Sequence, residues 1–318
     1  MDLSVLIATY NRMAHLKQAL DSLSGQEGAE QILWEVIIVD NNSTDGTRDF
    51  VREYAKGCSL NLRYYFEPSQ GKSYALNAGI KEAKGQVIAI TDDDVVVDKN
   101  WISSIWQACN RYSNLCFGGK ILPLWPQDIP SWITTEGPYR LVGGAIISHD
   151  WGNSVCPYDR QMYAPLGANL FIRRKAFEEF GEFNTELGPK GLRSETQGYM
   201  EDSELCFRLM RAGEQCLYIP AALVYHPVPA ERLKKSYFLR WYFGSGKALV
   251  RMEGMCNNSV KLMGVPRYLF RSLAEHAIQW WLAFDPKRRF FKKLQTYHVL
   301  GQIAQCFLNT RKSNIAIQ

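Results

Sequence analysis

This 318-residue chain has no long hydrophobic run, no paired-cysteine pattern and no glycine-rich phosphate loop near its start. No uninterrupted apolar stretch reaches the ~18 residues that would mark a transmembrane helix, so none is expected. Met1-Asp2 runs straight into the apolar Leu3–Ala8 without a basic n-region or a long h-region, and no secretory leader is expected. The eight cysteines stand at 58, 109, 116, 156, 206, 216, 256 and 306, never as C-x-x-C. That spacing argues against a zinc site or a disulfide framework and leaves free thiols in a cytosolic setting as the expectation. No RNP, zinc-finger or helix-turn-helix signature is evident, which argues against specific nucleic-acid binding. The segment Ala8-Thr9-Tyr10-Asn11-Arg12 has no glycine where a sugar nucleotidyltransferase would carry its phosphate loop.

What is present is an ordinary globular composition, 46% hydrophobic and 22% charged, long enough to bury a full core. The net charge of +5 hides an asymmetry. Residues 231–318 hold sixteen Lys and Arg against four Asp and Glu, a net +12, which leaves −7 on residues 1–230. A basic segment on an acidic body predicts an anionic partner: a membrane surface, a nucleic acid or an acidic protein.

The first 100 residues repeat strand, loop and helix. Unbroken apolar runs at Leu3–Ala8, Trp34–Asp40, Leu62–Phe66 and Val87–Ile90 read as buried strands. Helical spacing follows at His15–Leu23, Thr47–Tyr54 and Ser73–Ala83, with Ser73 a candidate cap. This pattern predicts an α/β fold with a mostly parallel sheet covered by helices. Ligands of such sheets bind at the carboxyl ends of the strands, so Thr9–Arg12, Asp40–Asp45, Gln70–Ser73 and Asp92–Asp94 should converge on one rim.

The chemistry centres on Asp92-Asp93-Asp94, which close the fourth strand. Three adjacent carboxylates repel unless a cation or strong donors stand between them. In extended chain Asp92 and Asp94 project to the same side and Asp93 to the other. Two oxygen donors on one side suit a hard divalent ion such as Mg²⁺ or Mn²⁺ with positions left for phosphate oxygens. The structural alternative is a solvated acidic turn.

Beyond residue 100 the pattern loosens. Trp101–Cys109 reads as a helix, and 118–165, rich in Gly, Pro and Trp, as acceptor-side loops or a mobile lid. Gly167–Ile172 reads as a strand, Arg174–Phe180 as a short helix and 181–197 as a loop. An amphipathic helix opens near Tyr199 and runs to Arg211, with Asp202 as its cap or as something more. Ala221–Tyr225 is a last short strand before His226. In the tail Pro266 starts a helix whose Leu269, Leu273, Ala277, Trp280, Trp281 and Phe284 are expected along one face. Asp285-Pro286 breaks it, and Arg288–Lys293 begins another. Trp and Phe beside Lys and Arg fit an amphipathic helix on an anionic bilayer, or a helical hairpin packed on the rest of the protein.

Seven motifs, in order over residues 3–229, resemble the family 2 glycosyltransferases with the GT-A (Rossmann-like) fold. They are VLIATYNR (5–12), VDNNSTDGT (39–47), GKSYALNAG (71–79), ITDDD (90–94), GANLFIRR (167–174), MEDSELCFRL (200–209) and YHPVP (225–229). The resemblance implies a catalytic domain over 1–230, a helical extension over 231–318, and an inverting transfer of sugar from a nucleotide-diphosphate donor, UDP by family habit, to a glycan or lipid-linked hydroxyl. It implies Thr9 and Tyr10 lining the nucleobase pocket with Arg12 nearby, Asp40 accepting from the base, Asn42 and Asp45 near the nucleoside, and Lys72, Asn77 and Asn169 on the donor side. It further implies Asp92 and Asp94 on a Mn²⁺ or Mg²⁺ ion, Asp93 at the ribose, Asp202 as general base and His226 as a further metal ligand. The unpaired cysteines and the basic tail together lead to the expectation of a cytoplasmic protein, peripheral at a membrane face if the tail binds one. A non-catalytic nucleotide-sugar-binding or nucleic-acid-binding protein, or a sugar nucleotidyltransferase, is the alternative.

Overall fold

A computed structural model describes residues 1–126, 128–159, 164–189, 201–253 and 260–315. Part of the 181–197 loop, and Tyr199-Met200 at the opening of the late helix motif, lie outside the described residues. The chain forms two compact units. The first is built from Met1–Leu124, Glu201–Pro227 and the described residues of Ile147–Arg193; the second from Trp125–Ile146 and the described residues of Val228–Gln318.

In the first unit the order is β1 (Leu3–Thr9), α1 (Met13–Ser24), β2 (Trp34–Asp40), α2 (Thr47–Gly57), β3 (Leu62–Phe66), α3 (Lys72–Glu82), β4 (Val87–Asp92), β5 (Val96–Val97), α4 (Trp101–Arg111) and β6 (Cys116–Leu124). Then come β7 (Cys156–Pro157), β8 (Leu170–Arg173), α5 (Arg174–Phe180), α6 (Glu201–Arg211) and β9 (Leu217–Pro227). One sheet runs β3-β2-β1-β4-β8-β6-β9-β5, with β7 on β9. β1 to β4 are mutually parallel, as are β6 and β9, while β8 lies antiparallel between β4 and β6.

The central strands β1, β2 and β4 are largely apolar because both faces are covered. Val5, Ile7, Val36, Ile38 and Ala89 pack under α1 and α4 with Leu16, Leu20, Trp101 and Ile105. The alternate residues Leu6, Ile37, Val39, Ile88 and Ile90 pack on the opposite side with Leu76, Ile80, Phe177, Leu205 and Leu209 from α3, α5 and α6. Period-2 alternation thus distributes one run of side chains between two cores.

The structure departs from the expected pattern in particular places. β6 occupies part of the stretch read as loop; its Gly118-Gly119 pair and Pro123 mask the strand, and the register with β9 shifts between Gly119 and Lys120. Gly167–Asn169 is a 3₁₀ turn, and the strand begins only at Leu170. Ser73 is not the cap of α3, which starts at Lys72 after Gly71; the Ser73 hydroxyl donates instead to the Leu187 carbonyl at 2.9 Å.

The second unit holds α7 (Lys235–Glu253), the hairpin β10 (Lys261–Leu262) and β11 (Val265–Pro266), α8 (Arg267–Leu282) and α9 (Pro286–Ile315). Ile133, Leu141, Ala145 and Ile146 share a core with Phe238 and Leu294, which draws 125–146 into this unit. α7 and α9 run side by side in the same direction, with Ser245 against His298 and Arg251 against Gln305. Glycines permit the closeness. An ideal Cβ on Gly246 would lie 2.0 Å from the His298 carbonyl oxygen, and one on Gly301 would lie 2.0 Å from that of Phe243. The expected single apolar face of α8 is corrected: Leu269 and Leu273 pack inward with Val265, Val299 and Ile303, whereas Trp281 and Phe284 point to solvent.

Candidate active site

The strand order reverses beside β1, with β2 and β3 on one side and β4 on the other. Such a switch point opens a crevice outside the carboxyl ends of the flanking strands. Here Ala8 of β1 pairs with Asp92 of β4, and Thr9 pairs with Asp40 of β2. The acidic residues at the ends of β2 and β4 therefore border one crevice.

His226 arrives by register. The chain turns after β4, and β5 pairs antiparallel with β9 so that Val96 faces Tyr225. That pairing brings the next residue of β9, His226, to the acidic turn. One ligand atom each from Asp92, Asp94 and His226 lies within 4.8 Å of the others. His226 Nε2 is 3.6 Å from Asp94 Oδ1, and that oxygen is buried without a hydrogen-bond partner. The His226 Nδ1 lies 3.0 Å from the Pro227 carbonyl oxygen, which leaves Nε2 as the ring's inward atom.

Two cations hold the aspartates. Lys72, the first residue of α3, places Nζ 2.6 Å from Asp92 Oδ1 and 3.6 Å from Glu201 Oε1. Arg12 bonds Asp94 and stands 3.3 Å from Asp93 Oδ1, while the Thr9 hydroxyl donates to Asp93 Oδ2 at 2.8 Å. Burial works against the charged form of Asp92, but Lys72 overcomes it and holds the carboxyl down at about 2. Burial likewise pushes Asp93 up to about 7 against the pull of Arg12, with Asp94 adding repulsion. Burial raises Glu201 to about 7 in spite of Lys72, with Asp202 adding repulsion. Lys72 itself is raised: burial would lower it, but Asp92 and Glu201 more than compensate.

Asp202, the second residue of α6, accepts from the Gly167 amide through Oδ2 at 2.5 Å and from the Ser203 amide through Oδ1 at 2.7 Å. A Cβ on Gly167 would sit 3.2 Å from Asp202 Oδ2 and 3.6 Å from Lys72 Nζ, so both groups flank one small gap. Five carboxylates (Asp92, Asp93, Asp94, Glu201, Asp202) thus gather around two cationic side chains, Arg12 and Lys72. The donor set of two carboxylates and an imidazole, the unpartnered Asp94 oxygen and this excess of negative charge all fit a divalent ion.

The remaining residues named from the motifs fall into two groups. Asp40 stands at the rim, accepting from the Ser43 amide at 2.9 Å and the Tyr64 hydroxyl at 2.8 Å, which leaves further acceptor capacity on its two oxygens. Asn42 is exposed in a left-handed conformation, and Tyr10 is half-buried after β1. Three others have their polar atoms engaged in holding the scaffold. Asp45 accepts from the Met13 and Thr47 amides at the starts of α1 and α2. Asn77 bonds both the carbonyl and the amide of Phe183. Asn169 accepts from the Trp101 indole and donates to the Lys120 and Ala222 carbonyls. In all three the hydrogen bonds tie neighbouring elements together.

Two contributors were not among the residues named from the motifs. Asn41 ties the 67–71 loop to β2 through the Ser69 carbonyl and the Gly71 amide, both at 2.7 Å. Glu201 is the buried partner of Lys72. Their signals were the Asn-Asn pair closing β2 and the acid beside Asp202.

Comparison with known proteins agrees with this geometry. The sequence model described as Glycosyl transferase family 2 matches residues 4–123, and that described as Glycosyl transferase family group 2 matches residues 87–303. The chain belongs to glycosyltransferase family 2. A glucosyl-dolichyl phosphate glucuronosyltransferase from Haloferax volcanii is 26% identical over 235 residues, 71% of this chain and 69% of that protein. The succinoglycan biosynthesis protein ExoM of Rhizobium meliloti is 22% identical over 254 residues, 79% of this chain and 75% of its own. Among solved structures, the mannosyltransferase PcManGT from Pyrobaculum calidifontis, in complex with GDP-Man and Mn²⁺, superposes with a TM-score of 0.59 at 18% identity. That superposition covers 96% of this chain and 86% of the other. S. aureus TarS 1–349 in complex with UDP-GlcNAc gives 0.54 at 16% identity, covering 98% and 92%. The chain is a glycosyltransferase with the GT-A fold.

Proposed function

We propose that this glycosyltransferase moves a sugar, with inversion at the anomeric carbon, from a nucleoside-diphosphate sugar to a hydroxyl of a glycan or lipid-linked acceptor. The carrying observation is the convergence of Asp92, Asp94 and His226 with an unpartnered, buried Asp94 oxygen at the β1/β4 crevice. Those three residues would hold Mn²⁺ or Mg²⁺. A divalent ion there supplies Lewis-acid stabilisation of the charge that develops on the departing diphosphate.

The chain's own groups account for the rest. Lys72, fixed by Asp92, adds a cation beside the leaving group. Thr9, Tyr10, Arg12, Asp40 and Asn42 line the nucleoside end of the crevice. Asp202 takes the proton from the acceptor hydroxyl as its oxygen bonds to the anomeric carbon and the bond to the diphosphate breaks. One displacement with one base needs no covalent sugar–enzyme intermediate, which matches inversion. The solved neighbours hold UDP-GlcNAc and GDP-Man, which supports a nucleotide-sugar donor for this chain, read here as UDP-linked in the first instance. The net charge of +12 on residues 231–318 supports a peripheral position at the cytoplasmic face of an anionic membrane, a setting that suits a lipid-linked acceptor.

The test is thermal stabilisation by UDP, GDP and dTDP with Mn²⁺, Mg²⁺ or EDTA, on the parent and on Asp92→Ala/Asp94→Ala. A ligand that binds only the folded state raises stability by RT ln(1 + [L]/Kd). Metal-dependent stabilisation by one nucleotide, lost in the double variant, supports the reading. Stabilisation by none of them overturns it.

A further inference from the structure

α8 has two apolar faces, and the helix packing explains only one. Leu269, Phe270 and Leu273 face Val265, Val299 and Ile303, and Trp280 lies beneath Lys293, whose Nζ is 5.2 Å from the ring centroid. On the outer face Ile278 is 56% exposed, Trp281 78% and Leu282 55%, and Phe284 in the α8–α9 corner is 98% exposed. Ile278, Trp281 and Leu282 follow at helical spacing, so they form one patch. Three exposed cations, Lys287, Arg288 and Arg289, follow within five residues of Phe284.

We infer that this outer face and corner form a docking surface for an anionic lipid bilayer. Trp281, Leu282 and Phe284 enter the boundary between headgroups and acyl chains, and Lys287, Arg288 and Arg289 meet the headgroup phosphates. The inference deepens the membrane-facing role proposed for residues 231–318 and does not depend on the transfer chemistry.

Charge complementarity chooses the occupant. Residues 260–289 contain six Lys and Arg and two Asp and Glu. Glu275 is bonded to Arg271 at 2.8 Å, and Asp285, which accepts from the Arg288 amide at 3.0 Å, offsets one of the three corner cations and leaves the corner net positive. A second copy of the chain would bring the same cations with it, and a two-fold contact would crowd like charges around the shared apolar centre. A bilayer with acidic headgroups offers apolar depth and negative charge together. Among the described residues no helix is long and apolar enough to cross a membrane, so α8 would lie in the interface plane. Indole and phenyl rings on an exposed corner are the side chains that settle at that depth.

The experiment uses the full chain without sugar donor. Flotation is measured with vesicles of phosphatidylcholine alone and of an equal mixture with phosphatidylserine, at low and high salt. The parent should float with the mixed vesicles only, less so at high salt. Trp281→Ser/Phe284→Ser and Lys287→Glu/Arg288→Glu/Arg289→Glu should each weaken the partition by about tenfold or more. Both should keep the parent's nucleotide-dependent thermal shift, which separates this result from the transferase test. Parent that ignores both vesicle types, or variants that float as well as the parent, would overturn the inference. A concentration-dependent dimer abolished by Trp281→Ser/Phe284→Ser, with no vesicle binding, would assign the face to a second copy and overturn it equally.

Discussion

His226 Nε2 faces Asp94 Oδ1 across 3.6 Å, both side chains buried. The distance is too long for a hydrogen bond between them. A buried carboxylate oxygen left unpaired costs about 1–3 kcal/mol or more, and the metal ion proposed for this site would remove that cost. His226→Ala and Asp94→Ala should therefore abolish or strongly weaken Mn²⁺-dependent binding of the nucleotide, read by calorimetry. The protein should remain folded by circular dichroism. Unchanged metal dependence in both variants would remove these residues from the site.

Asp202, the proposed base, offers a variant that separates chemistry from binding. Its carboxylate is anchored by the Gly167 and Ser203 amides, and asparagine keeps an acceptor oxygen for one of them. Asp202→Asn should keep the nucleotide-dependent thermal shift while kcat falls by roughly 10²–10⁴-fold, the usual worth of a positioned base. A loss of donor affinity with little change in kcat would mean that the residue only holds the Gly167 turn in place.

Away from the crevice, Glu35 makes a pH prediction. Its carboxylate is buried on β2, accepts from the Ser4 hydroxyl at 2.7 Å and the Lys84 amide at 2.8 Å, and pairs with Arg63 at 2.7 Å. Burial alone would raise its pKa, but Arg63, the Lys84 amide and Ser4 together bring it below the ordinary value of 4.5. A carboxyl whose folded pKa is depressed contributes stability that is complete above its unfolded pKa and is lost as pH falls through the folded one. Glu35→Gln should lower the urea midpoint at pH 7, and the gap between variant and parent should narrow as the pH drops below about 4.5. A gap that is constant with pH would exclude this ion pair as its source.

The residues legible in the sequence are those whose chemistry is local. Asp92 and Asp94 end an apolar run, and extended chain puts them on one side wherever the strand lies. The buried strands β1, β2 and β4 were equally readable, since a sheet covered on both faces imposes unbroken apolar runs. Asn77 and Asn169 show the limit. Each lies in a family motif, yet each is used on partners 49 or more positions away, Phe183 for one and Lys120, Ala222 and Trp101 for the other. Motif letters do not reveal these clamps, because the partners lie far along the chain. His226 joins the aspartates only through the pairing of β5 with β9, a two-residue strand that no periodicity reveals. The α8 helix fails in another way. A broad apolar stripe was read as one face, but the α9 contact claims only part of it and leaves Trp281 outside.

The α7–α9 contact sets two opposing effects against each other. In a helix interior, Gly→Ala gains about 1 kcal/mol from backbone entropy when the methyl meets nothing. Gly57, at the end of α2, has no atom within 4 Å of an added Cβ, and Gly57→Ala should be neutral to mildly stabilising. At Gly246 the added carbon would lie 2.0 Å from the carbonyl oxygen of His298, which is main chain and cannot rotate aside. The helices must move apart by more than an ångström, loosening Phe238 and Leu294 in the shared core. Overpacking of this kind costs roughly 1–3 kcal/mol or more, which outweighs the propensity gain. Gly246→Ala should therefore speed amide exchange in α7 and α9, measured by mass spectrometry, while exchange in β1 and β2 stays as in the parent. Gly301→Ala, which meets the Phe243 carbonyl from the other helix, should give the same pattern. Slower exchange in α7 for either variant would show that the two helices are not held at this separation in solution.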